Sequence, residues 1–149
     1  MKKFLVSVVL SISLNAVFLG TVPAALSAEG LEPVAKSQAY QEFLKKPDND
    51  LAKMICILNY FRDAPITVWY EGIEYTTQLA YPVGLVYLMT NYHNENPEQW
   101  AKKHCYRSLS GNNIILMKFQ DGTSRPVRDV IIEKYHELEE AQRKQVSKI

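Results

Sequence analysis

Cysteine, histidine and net charge are all in short supply in this 149-residue chain, and each shortage removes a class of chemistry. It has only two cysteines, Cys56 and Cys105, and three histidines, His93, His104 and His136. No pair of these shows the tight ligand spacing of a zinc motif, even with Glu95, Glu98 or Asp121 added as ligands. Scattered surface residues explain them better, and no metal is expected. No Cys lies near residues 20–30, so the lipoprotein route, acylation of a new N-terminal Cys, is closed. The 17 basic and 16 acidic side chains give a net charge of +1. Without Lys2 and Lys3 the sign reverses to −1, which argues against nucleic acid or an anionic membrane as partner. There is no internal repeat and no phosphate-binding loop. No cofactor is expected.

The strongest positive pattern is N-terminal. Met1-Lys2-Lys3 is a short cationic stretch, Phe4 to Leu19 is an apolar run, and Gly20 to Ala28 is rich in small residues and holds Pro23. Together these read as a secretory signal, cut after Ser27 or Ala28 to leave a mature chain of about 121 residues. An uncleaved membrane anchor is the competing reading. Gly20, Pro23 and the lack of positive charge beyond them oppose it. The expected product is soluble, has no stable membrane insertion and is periplasmic or secreted. Onward secretion as an effector is not separable from periplasmic residence, because that step has no linear code.

The remaining length suits one domain, residues 28–138, followed by a polar helix end or tail at 139–149 that should fray or project into solvent. Pro33–Lys46 reads as a first helix, with Ala35, Ala39 and Phe43 in a stripe beside Tyr40 and Leu44. A second helix, capped by Asp48 or Asp50, carries Leu51, Met54, Ile55, Leu58 and Phe61. Ile66–Tyr70 and Ile73–Tyr75 flank Glu71-Gly72 as a hairpin. The following helix starts at Thr76 or Thr77, or at Pro82, and faces the core with Leu85, Leu88 and Met89. Asn96-Pro97-Glu98-Gln99 opens the next helix, which should end at Ser110 with Gly111 in the left-handed region. Asn113–Phe119 is a strand, and a last helix opens at Ser124 or Arg125 and buries Val127, Val130, Ile131, Tyr135 and Leu138. The order α-α-β-β-α-α-β-α favours α+β, a small antiparallel sheet packed by helices.

Several constellations deserve weighing. His104 and Ser108 are spaced i, i+4 on one helix and suggest a small extracytoplasmic hydrolase. They lack an oxyanion hole, an orienting residue and a strand-turn-helix elbow, so no catalytic residue is assigned. Cys56 or Cys105 with His93 or His104 is equally incomplete as a Cys-His enzyme. The cysteines either pair, closing a loop of about 49 residues worth about 4 kcal/mol, or each is a small buried hydrophobe. Lys102, Lys103 and Arg107, with Arg125 and Arg128, make a basic patch for an acidic partner or phosphate, or simply a solvated helix face. Trp69, Tyr70 and Tyr75 suggest a sugar-stacking platform, although strand alternation should put Trp69 or Tyr70 in the core.

WYEGIEYTTQLAYPVGLVYLMTNY (69–92) and NPEQWAKKHCYRSLSGNNIILMKFQDGTSRPVRDVIIEKY (96–135) resemble the YfeK-like family of small periplasmic bacterial proteins of unknown function. Glu71-Gly72 stands where the family usually has Asn-Gly, Val86-Tyr87 where His-Leu is common, and Ser108-x-Ser110-Gly111 where a longer serine run is found. The resemblance implies an exported α+β domain and supplies no activity. It draws attention to Ser108, Ser110 and Gly111. The expected function is non-enzymatic binding of an unknown protein or envelope component, with Lys103, Arg107, Ser108, Ser110, Gly111, Arg125 and Arg128 as the candidate surface.

Overall fold

The computed structural model describes residues 29–147. The signal-peptide reading and both cleavage positions lie outside those residues. Five α-helices, α1 (Gln38–Phe43), α2 (Asp50–Arg62), α3 (Thr77–Asn91), α4 (Pro97–His104) and α5 (Val127–Val146), accompany four strands. The strands are β1 (Thr67–Tyr70), β2 (Ile73–Thr76), β3 (Leu116–Lys118) and β4 (Ser124–Pro126). They form one antiparallel sheet in the order β2-β1-β3-β4. The fold is α+β. Val68, Tyr75, Met117 and Arg125 share one sheet face, and α3 and α5 pack there. The opposite face carries Thr67, Trp69, Glu74, Leu116 and Lys118, of which Trp69, Glu74 and Lys118 are exposed.

α2 forms the centre, in contact with α1, α3, α4 and α5. Met54 and Ile57 expose nothing to solvent, and each such burial is worth about 1.5–3 kcal/mol. The cap is Asn49, whose side chain accepts from the Ala52 amide at 2.9 Å, and neither Asp48 nor Asp50 fills that role. Asp48 instead faces Lys53 at 3.7 Å.

The first expected helix is broken at Ser37. Its hydroxyl donates to the Val34 carbonyl at 2.7 Å and accepts from the Tyr40 amide at 3.2 Å, closing a 3-10 turn over Val34–Lys36 and capping α1. The buried stripe therefore comprises Val34, Ala39, Tyr40 and Phe43, while Ala35 and Leu44 are exposed. α3 starts at Thr77 and carries Pro82 inside it. Leu88 is fully buried, but Met89 is 55% exposed, so the expected inner face is misplaced by part of a turn.

Two further boundaries differ. Ser124–Pro126 is an edge strand and does not open the last helix. At the other end, α5 continues well past Leu138. Lys53 reaches Glu139 at 3.4 Å, and Tyr40 Oη donates to Gln145 Oε1 at 3.2 Å. These contacts hold the polar last turns against the body, where fraying was expected. Among the described residues, no helix is long and apolar enough to cross a membrane.

Candidate functional site

α4 begins as its sequence dictates, with the Asn96 side chain accepting from the Gln99 amide at 2.9 Å. It stops at His104, short of Ser110. The Cys105 carbonyl, which a continuing helix would give to Leu109, accepts from the Arg128 amide at 3.0 Å. The Leu109 amide goes to Tyr70 Oη, also at 3.0 Å. Arg107 bridges to Ile114, and the Ser108 amide donates to the Asn113 carbonyl at 2.9 Å. Long-range partners thus turn residues 106–114 into a loop whose tip, Gly111, has φ 75°. That loop places Ser108 off the helix and cancels the i, i+4 relation to His104.

Pairing of β1 with β3 sets this loop against the hairpin turn. Glu71 and Gly72 both have positive φ, 52° and 81°, the signature of a type I′ turn in which Glu is a poor occupant. A side-chain knot holds Glu71 there. Ser110 Oγ donates to Glu71 Oε1, Asn113 Nδ2 donates to Oε2 at 2.9 Å, and Ser108 Oγ lies 3.0 Å from Ser110 Oγ. With the Ser110 hydroxyl donating to the carboxylate, Ser108 is the donor to Ser110. The hydroxyls of Ser108 and Ser110 and the Asn113 amide hold the Glu71 carboxyl down at about 2.

Although carboxylate, Ser110 and Ser108 form a chain, it is unsuited to nucleophilic catalysis. So acidic a carboxyl is a weak base, and Ser108 is only 5% exposed. Its chemistry is that of a latch. Since the folded value lies below the ordinary 4.5, the carboxylate stabilises the fold above that pH, and the contribution is lost as pH falls from there through about 2. Urea unfolding between pH 2 and 6 should therefore show wild type losing stability toward acid faster than Glu71→Gln, with the two curves converging at the acid end. Parallel curves would show that Glu71 contributes nothing to the latch.

Behind the loop lies a cleft of about 380 Å³ lined by Tyr87, Lys102, Lys103, His104, Tyr106, Arg107, Ser108 and Leu109. Tyr87 Oη is 3.1 Å from His104 Nδ1, and the His104 ring lies 5.0 Å from that of buried Trp100. His104 Nε2 and Trp100 Nε1 are buried with no hydrogen-bond partner among the described residues. Burial lowers the His104 pKa, helped by Lys103 and opposed by Glu95, and so favours the uncharged ring. Its hydrogen bond is to Tyr87, and none joins it to Ser108.

The basic side chains are mostly committed. Lys102 pairs with Glu98 and Lys103 with Glu95, the latter at 3.4 Å. Arg128 pairs with Asp129 at 2.7 Å and lies 4.0 Å over the Tyr106 ring, bracing the cleft wall. Arg125 stands apart from the cleft, held by Glu29 at 2.9 Å and Glu133 at 2.7 Å. Arg107 has only a 3.4 Å contact to the Gly111 carbonyl and the flank of Tyr106, with no carboxylate partner among the described residues. Leu109, next to it, is 79% exposed.

Other expected pairings do not form. Cys56 and Cys105 are both free and buried; the Cys56 thiol contacts the Ala39 carbonyl at 3.5 Å, facing α1, and Cys105 closes α4. Burial pushes both thiols up to about 12, which leaves no thiolate for a Cys-His mechanism. The histidines do not come together: the His93 backbone amide donates to Glu95 Oε2 at 2.7 Å, the His104 ring meets Tyr87, and His136 Nε2 is 3.0 Å from Glu98. Among the described residues, no group of three or more His, Cys, Asp or Glu side chains converges. Asp121 is occupied by Thr123 within its own turn. Trp69 is 40% exposed and Tyr70 half-buried, so neither is core, and they sit on opposite faces of β1.

Sequence reasoning picked out Lys103, Arg107 and Ser108, which the cleft does unite, and Ser110 and Gly111, which share its loop. It overlooked Tyr87, Tyr106 and Asn113, and it read Glu71 only as a turn residue. Glu71 meets Ser110 across 39 positions through strand pairing, and no local pattern encodes that. No family model, curated protein or solved structure matches this chain.

Proposed function

We propose that the protein is an exported, non-enzymatic binding module that takes a segment of another protein at the cleft between α3 and the 105–111 loop. The carrying observation is Arg107, a cation without a carboxylate partner among the described residues, beside exposed Leu109 on the rim of a preformed cleft. That pairing suits a partner carrying a carboxylate next to an apolar side chain. The export half of the reading rests on the Met1–Ala28 pattern and on the YfeK-like resemblance, and it makes an envelope component the natural partner.

The test is photo-crosslinking capture from an envelope fraction with the probe at position 109, followed by titration of the captured partner. Arg107→Glu should weaken binding about 10- to 100-fold, while Lys118→Glu on the open sheet face leaves it unchanged. Equal affinity in wild type and Arg107→Glu would remove the cleft from the binding reaction. Turnover in a broad hydrolase screen that vanishes in Ser108→Ala or Cys105→Ala would overturn the non-enzymatic reading.

A further inference from the structure

The sequence of α3, TQLAYPVGLVYLMTN, contains no charged residue over its whole length, in a chain of which 22% is charged. It is nevertheless a surface helix. Leu79, Val83, Val86 and Met89 are 55–69% exposed, and among the described residues only Thr77 and Leu88 on α3 are buried. A helix apolar on all sides is normally covered on all sides. Leu79, Val83 and Val86 follow each other at spacings of four and three, the stripe by which one helix packs along another.

β2, which leads into α3, is an edge of the sheet. The two edges are built differently. β4 carries Arg125 and Pro126, a charge and a residue without an amide donor, which blunt strand addition. β2 is Ile-Glu-Tyr-Thr and has no proline; its one charge, Glu74, is paired with Lys118 at 3.4 Å, and its Ile73 is 55% exposed on the helix-bearing face.

We propose that β2 and α3 form a two-fold interface with a second copy of this chain, β2 pairing antiparallel with its counterpart while the α3 stripes pack beneath. A stripe without charge meets itself without repulsion, which a charged face could not do. The exposed area of Ile73, Leu79, Val83, Val86 and Met89 is on the order of 600 Å² per copy, so pairing removes on the order of 1,200 Å², the lower end of a specific interface. A membrane surface fits less well, since helices that lie on membranes carry Lys or Arg on their polar side. This surface is separate from the Arg107 cleft.

Sedimentation velocity of the full chain from about 5 to 200 μM should show a reversible dimer, at the weak end of the affinities that interfaces of such area span. Val83→Glu and Val83→Lys, both at a solvent-facing position, should keep the wild-type circular dichroism and, at a concentration where all are monomeric, its melting temperature, and each should weaken self-association by at least about 100-fold. Mixing the two should restore the dimer. A photo-crosslinker at position 83 should join α3 to α3 of another molecule. A wild-type monomer across the whole range, a Val83→Glu dimer as tight as wild type, or a mixture that stays monomeric overturns the proposal. So does a crosslink from position 83 to residues 1–28 of the same chain, or adsorption of the monomer to zwitterionic vesicles through this face. Arg107→Glu leaves the dimer intact, so failure here and failure of the cleft reading are read out separately.

Discussion

Trp100→Ala lowers the free energy of unfolding by about 3–5 kcal/mol, roughly a fifth or more of what a domain of this size commonly has. Trp100 is 3% exposed, and its ring lies against both Tyr87 and His104, with centroids 6.2 and 5.0 Å away. Truncation leaves a cavity under the floor of the cleft. Urea unfolding should show a lower midpoint with an unchanged slope. Because burial is the leading cause of the depressed His104 pKa, loosening this packing should also move that pKa up toward its ordinary value, visible in an NMR titration. Trp100→Phe is the control. It keeps an aromatic ring and discards the indole N–H that has no partner among the described residues, so it should cost less than about 1.5 kcal/mol. If both variants are equally unstable, ring packing is not the source.

Leu88→Ala is expected to cost about 2–5 kcal/mol and to do so locally. Leu88 is the one fully buried apolar side chain by which α3 is fixed to the core. Hydrogen exchange should report early loss of protection over Thr77–Asn91 while α2 and α5 stay protected. Val83→Ser on the outer side of the same helix should leave the monomer's stability within about 0.5 kcal/mol of wild type. Uniform acceleration of exchange across the whole domain in Leu88→Ala would show that α3 has no independent attachment.

The contrast between those two positions on α3 explains what could be read from sequence and what could not. α5 has polar positions between its apolar ones, so its inner face was legible almost residue by residue. In α2 the unbroken apolar run Met54–Leu58 blurs the period: Met54 and Phe61 are buried as expected, but Leu51, Ile55 and Leu58 are only partly buried, and Cys56, Ile57 and Tyr60 fill the core beside them. α3 is nearly uniform in polarity, and a uniform helix gives its sequence no direction in which to point. Met89 was assigned inward for that reason. The hairpin turn and the Asn96 cap were legible because each is a contract among neighbours, settled within a few residues. α4's end was not, because Arg128 and Tyr70 take the partners that would have continued it. β4 has three residues including a proline, too few for any alternation to register. The cleft was half visible: its basic side chains are close in sequence, while Tyr87 arrives from another helix.

The segment that opens the described chain is fastened to the one that closes it. Glu29 meets Arg125, the Val34 amide donates to Glu137 Oε1 at 2.7 Å, and Tyr40 donates to Gln145. Leu31 and Val34 are almost wholly buried, and Val34 belongs to the turn that packs on α5. Residues 29–40 also pack on α2, where the Cys56 thiol meets the Ala39 carbonyl and Tyr60 Oη donates to the Glu32 carbonyl, but their bonds to Glu137 and Gln145 wait until the final helix has been synthesised. The packing of the domain is complete only when α5 docks on the turn that precedes α1.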